Sequence, residues 1–203
     1  MRNLLIFSFF AILVVVGVTL WTAGMIREFE DQKTAVAADH KKAADALRET
    51  DTLFAQRATT QLDAARFGAY LSIRTDLAEL LRKRFAEKDK EKGFHPQRTR
   101  NLALARLRGL LGQHKMGVSE YLAIRGRFLA ILAHGKPAPL FDAWRTETAD
   151  PKHNPGGIPL PAPAPDVTEA ETKLVHAHLD QLRGDLPAEL LGPMLEEIVG
   201  NRR

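Results

Sequence analysis

The chain has 203 residues, 45% of them hydrophobic but only 7% aromatic, and a formal charge of +4. Alanine and leucine dominate the apolar set, which favours helix-on-helix packing over a sheet sandwich, and no stretch after residue 30 alternates β-branched or aromatic residues with polar ones as a strand would. Cysteine is absent, which excludes disulfides, thiolate metal sites, a cysteine nucleophile and lipid attachment through an N-terminal cysteine.

The first element is apolar. From Asn3 to Ile26 there is no charged side chain, and Leu4 to Met25 reads LLIFSFFAILVVVGVTLWTAGM. At about 1.5 Å per residue a helix of this length crosses roughly 30 Å of hydrocarbon. Residues 1–26 are therefore expected to be a transmembrane anchor or a signal peptide. The nearest small-x-small candidate, Thr22-Ala23-Gly24, lies directly behind Trp21, which suits an interfacial anchor, so an uncleaved span is favoured. Arg2 ahead of the run and a long domain behind it imply export, although Arg27, Lys33, Lys41 and Lys42 weigh the other way. The expectation is a single-pass protein of the inner (cytoplasmic) membrane with its C-terminal domain in the periplasm or outside.

Residues 27–92 read as a long helix or stalk. The first proline is Pro96, and Gly68 is the only glycine between Arg27 and Lys92. Leu62, Ala65, Ala69, Ile73, Leu77 and Leu80 step by three and four, and Tyr70, Leu81 and Phe85 widen the stripe into a core-facing band. The earlier, alanine-lined part suits a stalk or weak coiled coil, and so a route to a homo-oligomer. Thr50-Asp51-Thr52 is the candidate break, because short polar side chains compete there for backbone donors. The alternating charges of Glu87 to Lys92 read as a solvated helix end, with Gly93 as its cap.

Residues 93–136 form a helical hairpin expected to pack on the long helix. Its first arm runs from Gln97 to Leu111 with Leu104, Leu107 and Leu111 on one face, and Gly112 ends it. Ser119 caps the second arm, which carries Tyr121, Ile124, Phe128 and Leu132 and stops at Gly135 and Pro137. Residues 137–166 are a proline-rich linker whose run Asn154 to Pro165 reads as an extended spacer. In residues 167–203, Thr168 with Glu171, or Asp166 with Glu169, offers a capping box for a helix to about Arg183 bearing Ala170, Leu174, His178 and Leu182. A last apolar stretch, Leu190 to Ile198, is interrupted by Gly192-Pro193. These short C-terminal helices are expected to move semi-independently of the bundle. The fold class is all-α throughout.

The most informative chemical feature is charge asymmetry. Between Phe94 and Lys136 eight basic residues face Glu120 alone, whereas from Pro137 to Arg203 eleven acids face six bases. Arg98, Arg100, Arg106, Arg108, Lys115, Arg125 and Arg127 are accordingly the candidate site for an anionic partner, either another protein or an anionic surface. The competing reading is that the acidic C-terminal helices, with Asp180, Asp185, Glu189, Glu196 and Glu197, fold back on these cations. Nucleic acid is disfavoured, since the arginines lack interleaved stacking aromatics.

No metal site is expected. His176 and His178, two apart on a helix, point about 200° from one another, so both cannot ligate one ion. No Gly-x-Ser-x-Gly elbow, Ser-x-x-Lys pair, His-Glu-x-x-His helix or phosphate loop occurs, and Ser8, Ser72 and Ser119 are the only serines. The sequence thus points to a protein without an enzymatic activity or cofactor. The expectation is a membrane-anchored envelope scaffold or adaptor, with the membrane held through residues 4–25. The alternative is a cytosol-facing, membrane-tethered protein whose basic hairpin binds nucleic acid or inner-leaflet lipid.

Overall fold

The computed structural model describes residues 2–54, 62–87, 95–134, 146, 161 and 166–200, with side chains described from Val16 onward except those of Leu186, Pro187 and Leu190. Among them the protein is all-α. Its helices are α1 (Arg2–Phe54), α2 (Ala64–Ala86), α3 (His95–Gln113), α4 (Val118–His134), α5 (Glu169–Ala177), α6 (Leu179–Gly184), a 3-10 helix (Leu186–Leu191) and α7 (Gly192–Gly200). The chain divides into two units, Met1–His40 and Lys41–Arg203.

The first unit is the N-terminal part of α1. Among the described residues no helix is long and apolar enough to cross a membrane. This overturns the expected transmembrane anchor at residues 1–26. It also overturns what rested on that anchor: the signal-anchor reading, the membrane as a partner through residues 4–25, and the inner-membrane, single-pass, periplasmic placement. The described apolar side chains run from Val16 to Ile26 before Arg27. That stretch covers roughly 16 Å of helix, about half of a hydrocarbon core. The side chains of Leu4 to Val15, on which the rest of the expectation stood, lie outside the described residues. Within the unit Val18, Trp21, Met25 and Phe29 are exposed, and the Thr22 hydroxyl donates back to Val18 O at 2.9 Å.

In the second unit the expected stalk is also corrected. The remainder of α1 packs into the core through Ala43, Ala44 and Leu47 instead of projecting as a coiled coil. Thr50-Asp51-Thr52 does not break the helix. The two threonine hydroxyls donate to the carbonyls of Ala46 and Arg48, both at 2.9 Å, and so stay within the helical ladder. Asp51 turns away to cap a different helix. Its Oδ1 accepts from the Ser119 amide at 2.7 Å and its Oδ2 from the Ser119 hydroxyl at 2.8 Å. Ser119 therefore lies in the first turn of α4, not at its cap, and the orphan donors there are served by a carboxylate from 68 residues away. Gly117 is needed for this approach, since a Cβ there would sit 2.8 Å from Asp51 Oδ1.

The long helix read over residues 27–92 is two helices. Asp63, extended at φ −90° and ψ 137°, accepts from Ala65 N at 2.8 Å and opens α2. This helix is the hub of the unit, packing against α3, α4, α6 and the 3-10 helix. Its buried line is Phe67, Tyr70, Leu71, Ile73, Arg74, Leu77, Ala78 and Leu81; it keeps Tyr70, Ile73, Leu77 and Leu81 of the expected band, adds Arg74 and leaves Phe85 38% exposed. The hairpin arms appear as α3 and α4. Gly112 does not stop α3. The helix ends one residue later, at Gln113, after which Lys115 takes the left-handed conformation at φ 49° and Met116 N reaches back to Leu111 O at 2.9 Å.

The C-terminal helices share this core. Val175, Leu182, Leu191, Leu195 and Ile198 are at most 3% exposed and belong to the same cluster as α2, α3 and α4. The Thr168–Glu171 capping box is present. The helix it opens stops at Ala177 and restarts after His178, and Gly192-Pro193 opens α7 where an interruption was expected. Of the proline-rich linker, residues 137–166, only 146, 161 and 166 are described, so the spacer reading falls outside the described residues.

Candidate anionic-partner interface

The seven expected cations do not form one patch. Two elements divide them, and burial decides their chemistry. On α3, Arg98 and Arg100 are exposed with no carboxylate partner among the described residues. Arg106 meets Asp76 at 3.2 Å and Arg108 meets Glu49 at 3.8 Å, all four side chains being about half exposed. Pairs of that kind contribute about 0–1 kcal/mol and are screened by salt. Lys115 is exposed at the end of the helix.

On α4 the cations face inward. Arg125 Nε donates to Glu189 Oε2 at 2.7 Å and its Nη1 to Glu196 Oε1 at 2.9 Å. Arg127 clasps both oxygens of Glu171 at 2.9 and 3.0 Å. Glu189, from the 3-10 helix, is shared, because its other oxygen receives Nη1 of Arg74. Arg74 is completely buried. Its Nη2 donates to the carbonyls of Leu182 at 3.3 Å and Asp185 at 3.2 Å, and its guanidinium lies over the rings of Tyr70 and Phe128 at 5.7 and 5.4 Å. Burial pushes the hydroxyls of Tyr70 and Tyr121 above their ordinary range, the nearby arginines opposing it. Both phenols thus stay protonated beside the ion pairs, and the Tyr70 hydroxyl accepts from Arg74 Nη1 at 3.3 Å.

A second buried pair closes the α2–α3–α4 corner. Arg66 makes a two-pronged contact with Glu120, 2.6 Å on each prong, and its Nη1 donates to His114 O at 3.0 Å. The hydrogen bond to Glu120 raises the arginine's pKa against the cost of burial. Arg66 and Arg74 were not singled out from the sequence, and Asp51 was read there only as part of a helix break. Each arginine sits in a helical stretch whose apolar neighbours carry the periodic signal, so the charged residue reads as the solvent side.

The fit of Arg125 leaves a mark on the backbone. A Cβ at Gly192 would lie 2.6 Å from Arg125 Cζ and Nη2 and 2.9 Å from its Nε. An arginine tip usually moves aside, but this one is held by two carboxylates and is only 8% exposed. Gly192→Ala is therefore expected to cost about 1–3 kcal/mol through overpacking, measured by chemical unfolding. A cost no greater than that of Gly109→Ala, where a Cβ meets nothing within 4 Å, would show that the arginine is not pinned.

Elsewhere in the unit, an open groove of about 450 Å³ is lined by Gly68, Leu71, Ser72, Thr75, Asp76, His178 and Gln181. Its polar groups are engaged with each other and with the core: Thr75 donates to Asp185 Oδ2 at 2.6 Å and accepts from Gln181 at 3.1 Å. His178 stands edge-on to Phe67 with ring centres 5.9 Å apart. Among the described residues no three His, Asp or Glu side chains converge as a metal site requires. Comparison with family models, curated proteins and solved structures found no match to this chain.

Proposed function

We propose that the Lys41–Arg203 unit is a non-catalytic binding module whose outer α3 face receives an acidic stretch of a protein partner. What supports this reading is the contrast between the two arginine sets. Arg125 and Arg127 are committed to internal carboxylates, whereas Arg98 and Arg100 have none among the described residues, and Arg106 and Arg108 hold only exposed ones. An acidic segment arriving at α3 would give up little to compete with such pairs. Leu102, 44% exposed between the arginines, adds an apolar contact. α3 presents no aromatic on which a base could stack, which favours a polypeptide over a nucleic acid.

The test replaces Arg98, Arg100, Arg106 and Arg108 with glutamine, which keeps comparable helix propensity. Retention of a labelled poly-glutamate peptide is expected to fall about tenfold or more, with the thermal midpoint moving by only a few degrees. Raising the salt on the unmodified chain should reproduce the loss. Retention unchanged in both arms would reject the reading. Retention of a labelled single-stranded oligonucleotide in preference to the peptide would replace the protein partner with a nucleic acid.

A further inference from the structure

The ion pairs that fasten the C-terminal segment, residues 166–200, to the rest of its unit run in one direction. In each ion pair across this boundary among the described residues, the cation stands on α2 or α4 and the carboxylate on the segment: Arg74 and Arg125 with Glu189, Arg125 with Glu196, Arg82 with Asp185, and Arg127 with Glu171. Core arginines also donate to the segment's backbone, Arg48 to Ile198 O at 3.1 Å and Arg127 to Asp166 O at 2.9 Å. The segment's own cations stay local, Lys173 with Glu169 and Arg183 with Asp180. Beneath the charges, Val175, Leu182, Leu191 and Ile198 supply an apolar face that is buried. This is the chemistry of an acidic amphipathic helical ligand lying in an arginine-lined groove. A tether of 31 residues, 135–165, eight of them proline, joins it to α4.

We infer that the arginine-lined cleft of α2 and α4 is a receptor for this segment as a ligand, and that the segment of a second copy can occupy it in exchange. Each copy carries both complementary halves, and 31 residues can span at most roughly 100 Å, enough chain for a segment to reach a neighbouring molecule. The chain's own segment competes as a covalently joined ligand, at an effective concentration on the order of millimolar. At micromolar concentration the intramolecular arrangement therefore prevails, and weakening the segment's own pin shifts occupancy toward a segment offered from outside.

The experiment offers a fluorescent peptide of residues 166–200 to the full chain and to its Glu189→Gln variant, reading anisotropy. Both chains carry the four α3 glutamines, which removes that face as a landing place and keeps this test apart from the previous one. The Glu189→Gln chain is expected to bind the peptide at least about tenfold more tightly than the chain with Glu189 intact, because its own segment no longer holds the cleft. A peptide bearing the same substitution should be taken up poorly by either. Equal or absent uptake by two chains that are both folded by circular dichroism would overturn the inference. So would displacement of the peptide by poly-glutamate of equal length, since the cleft would then accept any polyanion. Should Glu189→Gln fail to fold, Glu196→Gln carries the same comparison, because Glu196 is 59% exposed and holds only Arg125.

Discussion

Glu189→Gln is expected to lower the stability of the Lys41–Arg203 unit by about 3–5 kcal/mol, the range for breaking a buried ion pair while its partner stays in place. One carboxylate serves two guanidiniums, that of Arg74, completely buried, and that of Arg125, 8% exposed. Neutralising it leaves the buried guanidinium of Arg74 with only neutral partners, two backbone carbonyls, the Tyr70 hydroxyl and aromatic faces, in surroundings where its Nε has no hydrogen-bond partner. Arg125 retains Glu196. The loss is concentrated where the 3-10 helix meets α2. Hydrogen exchange should therefore rise first in residues 186–200, and the thermal midpoint should fall by roughly 10 °C. Pairing Arg74→Met with Glu189→Met should cost less than the two single changes added together, since no isolated charge then remains inside. A loss below about 1 kcal/mol for Glu189→Gln would show that the pair is solvated and that apolar contacts alone hold the segment.

Legibility from sequence followed the division between apolar and polar side chains. The arms of the hairpin were readable because their buried residues are apolar and periodic. Leu104, Leu107 and Leu111 of α3, and Tyr121, Ile124, Phe128 and Leu132 of α4, lie inside as their spacing requires. α2 was readable as a helix with Tyr70, Ile73, Leu77 and Leu81 inside, but Arg74 in the middle of its buried line was not, because a charged residue is scored as solvent-facing. Of the two helix boundaries missed nearby, α1 continues past Thr50-Asp51-Thr52 because Asp51 spends its carboxylate on α4, a choice set 68 residues away that a window along the chain does not carry. α3 outlasts Gly112 by one residue because Lys115, not a glycine, supplies the left-handed residue.

The candidate site was half legible for a related reason. Composition located an excess of cations between residues 94 and 136 and an excess of acids after it, but net charge does not say which side chains meet. Position on the helix does. Arg125 shares its face of α4 with Phe128 and Leu132, and Arg127, about 200° around the helix, lies with Ala130 and Ile131; all four neighbours are buried, so both charges are carried inward and must be matched there, by Glu189 and Glu171 respectively. Arg98 and Arg106 fall on the side of α3 away from Leu104, Leu107 and Leu111, Arg108 stands at the edge of that apolar face, and all three stay in solvent. The acidic C-terminal helices thus neutralise the α4 arginines and leave those of α3, which is why partner binding and internal stability are expected to respond to different substitutions.

Acid should loosen this unit through Glu171 before that carboxylate titrates in full. Burial alone would raise its pKa. The hydrogen bond from Arg127, those from the backbone amides of Thr168 and Leu62 and that from the Thr168 hydroxyl together outweigh burial and hold the group at about 2, against an ordinary 4.5. Because the folded value is depressed, the stabilisation is fully present above the unfolded value, near 4.5, and is lost progressively as pH falls from there through about 2. The difference corresponds to about 3 kcal/mol, contributed by a side chain that is 3% exposed. Glu171→Gln removes the charge that Arg127 and the helix N-terminus favour, while its amide oxygen still accepts from Thr168 or Leu62. The expected result is a variant about 2–3 kcal/mol less stable than the unmodified chain at pH 7, with the gap narrowing steadily below pH 4.5. Unfolding curves at several pH values between 7 and 2.5 read this directly. Parallel pH profiles for the two proteins would show that Glu171 titrates at its ordinary value and that its contacts are not what joins α5 to α4 and to the start of α2.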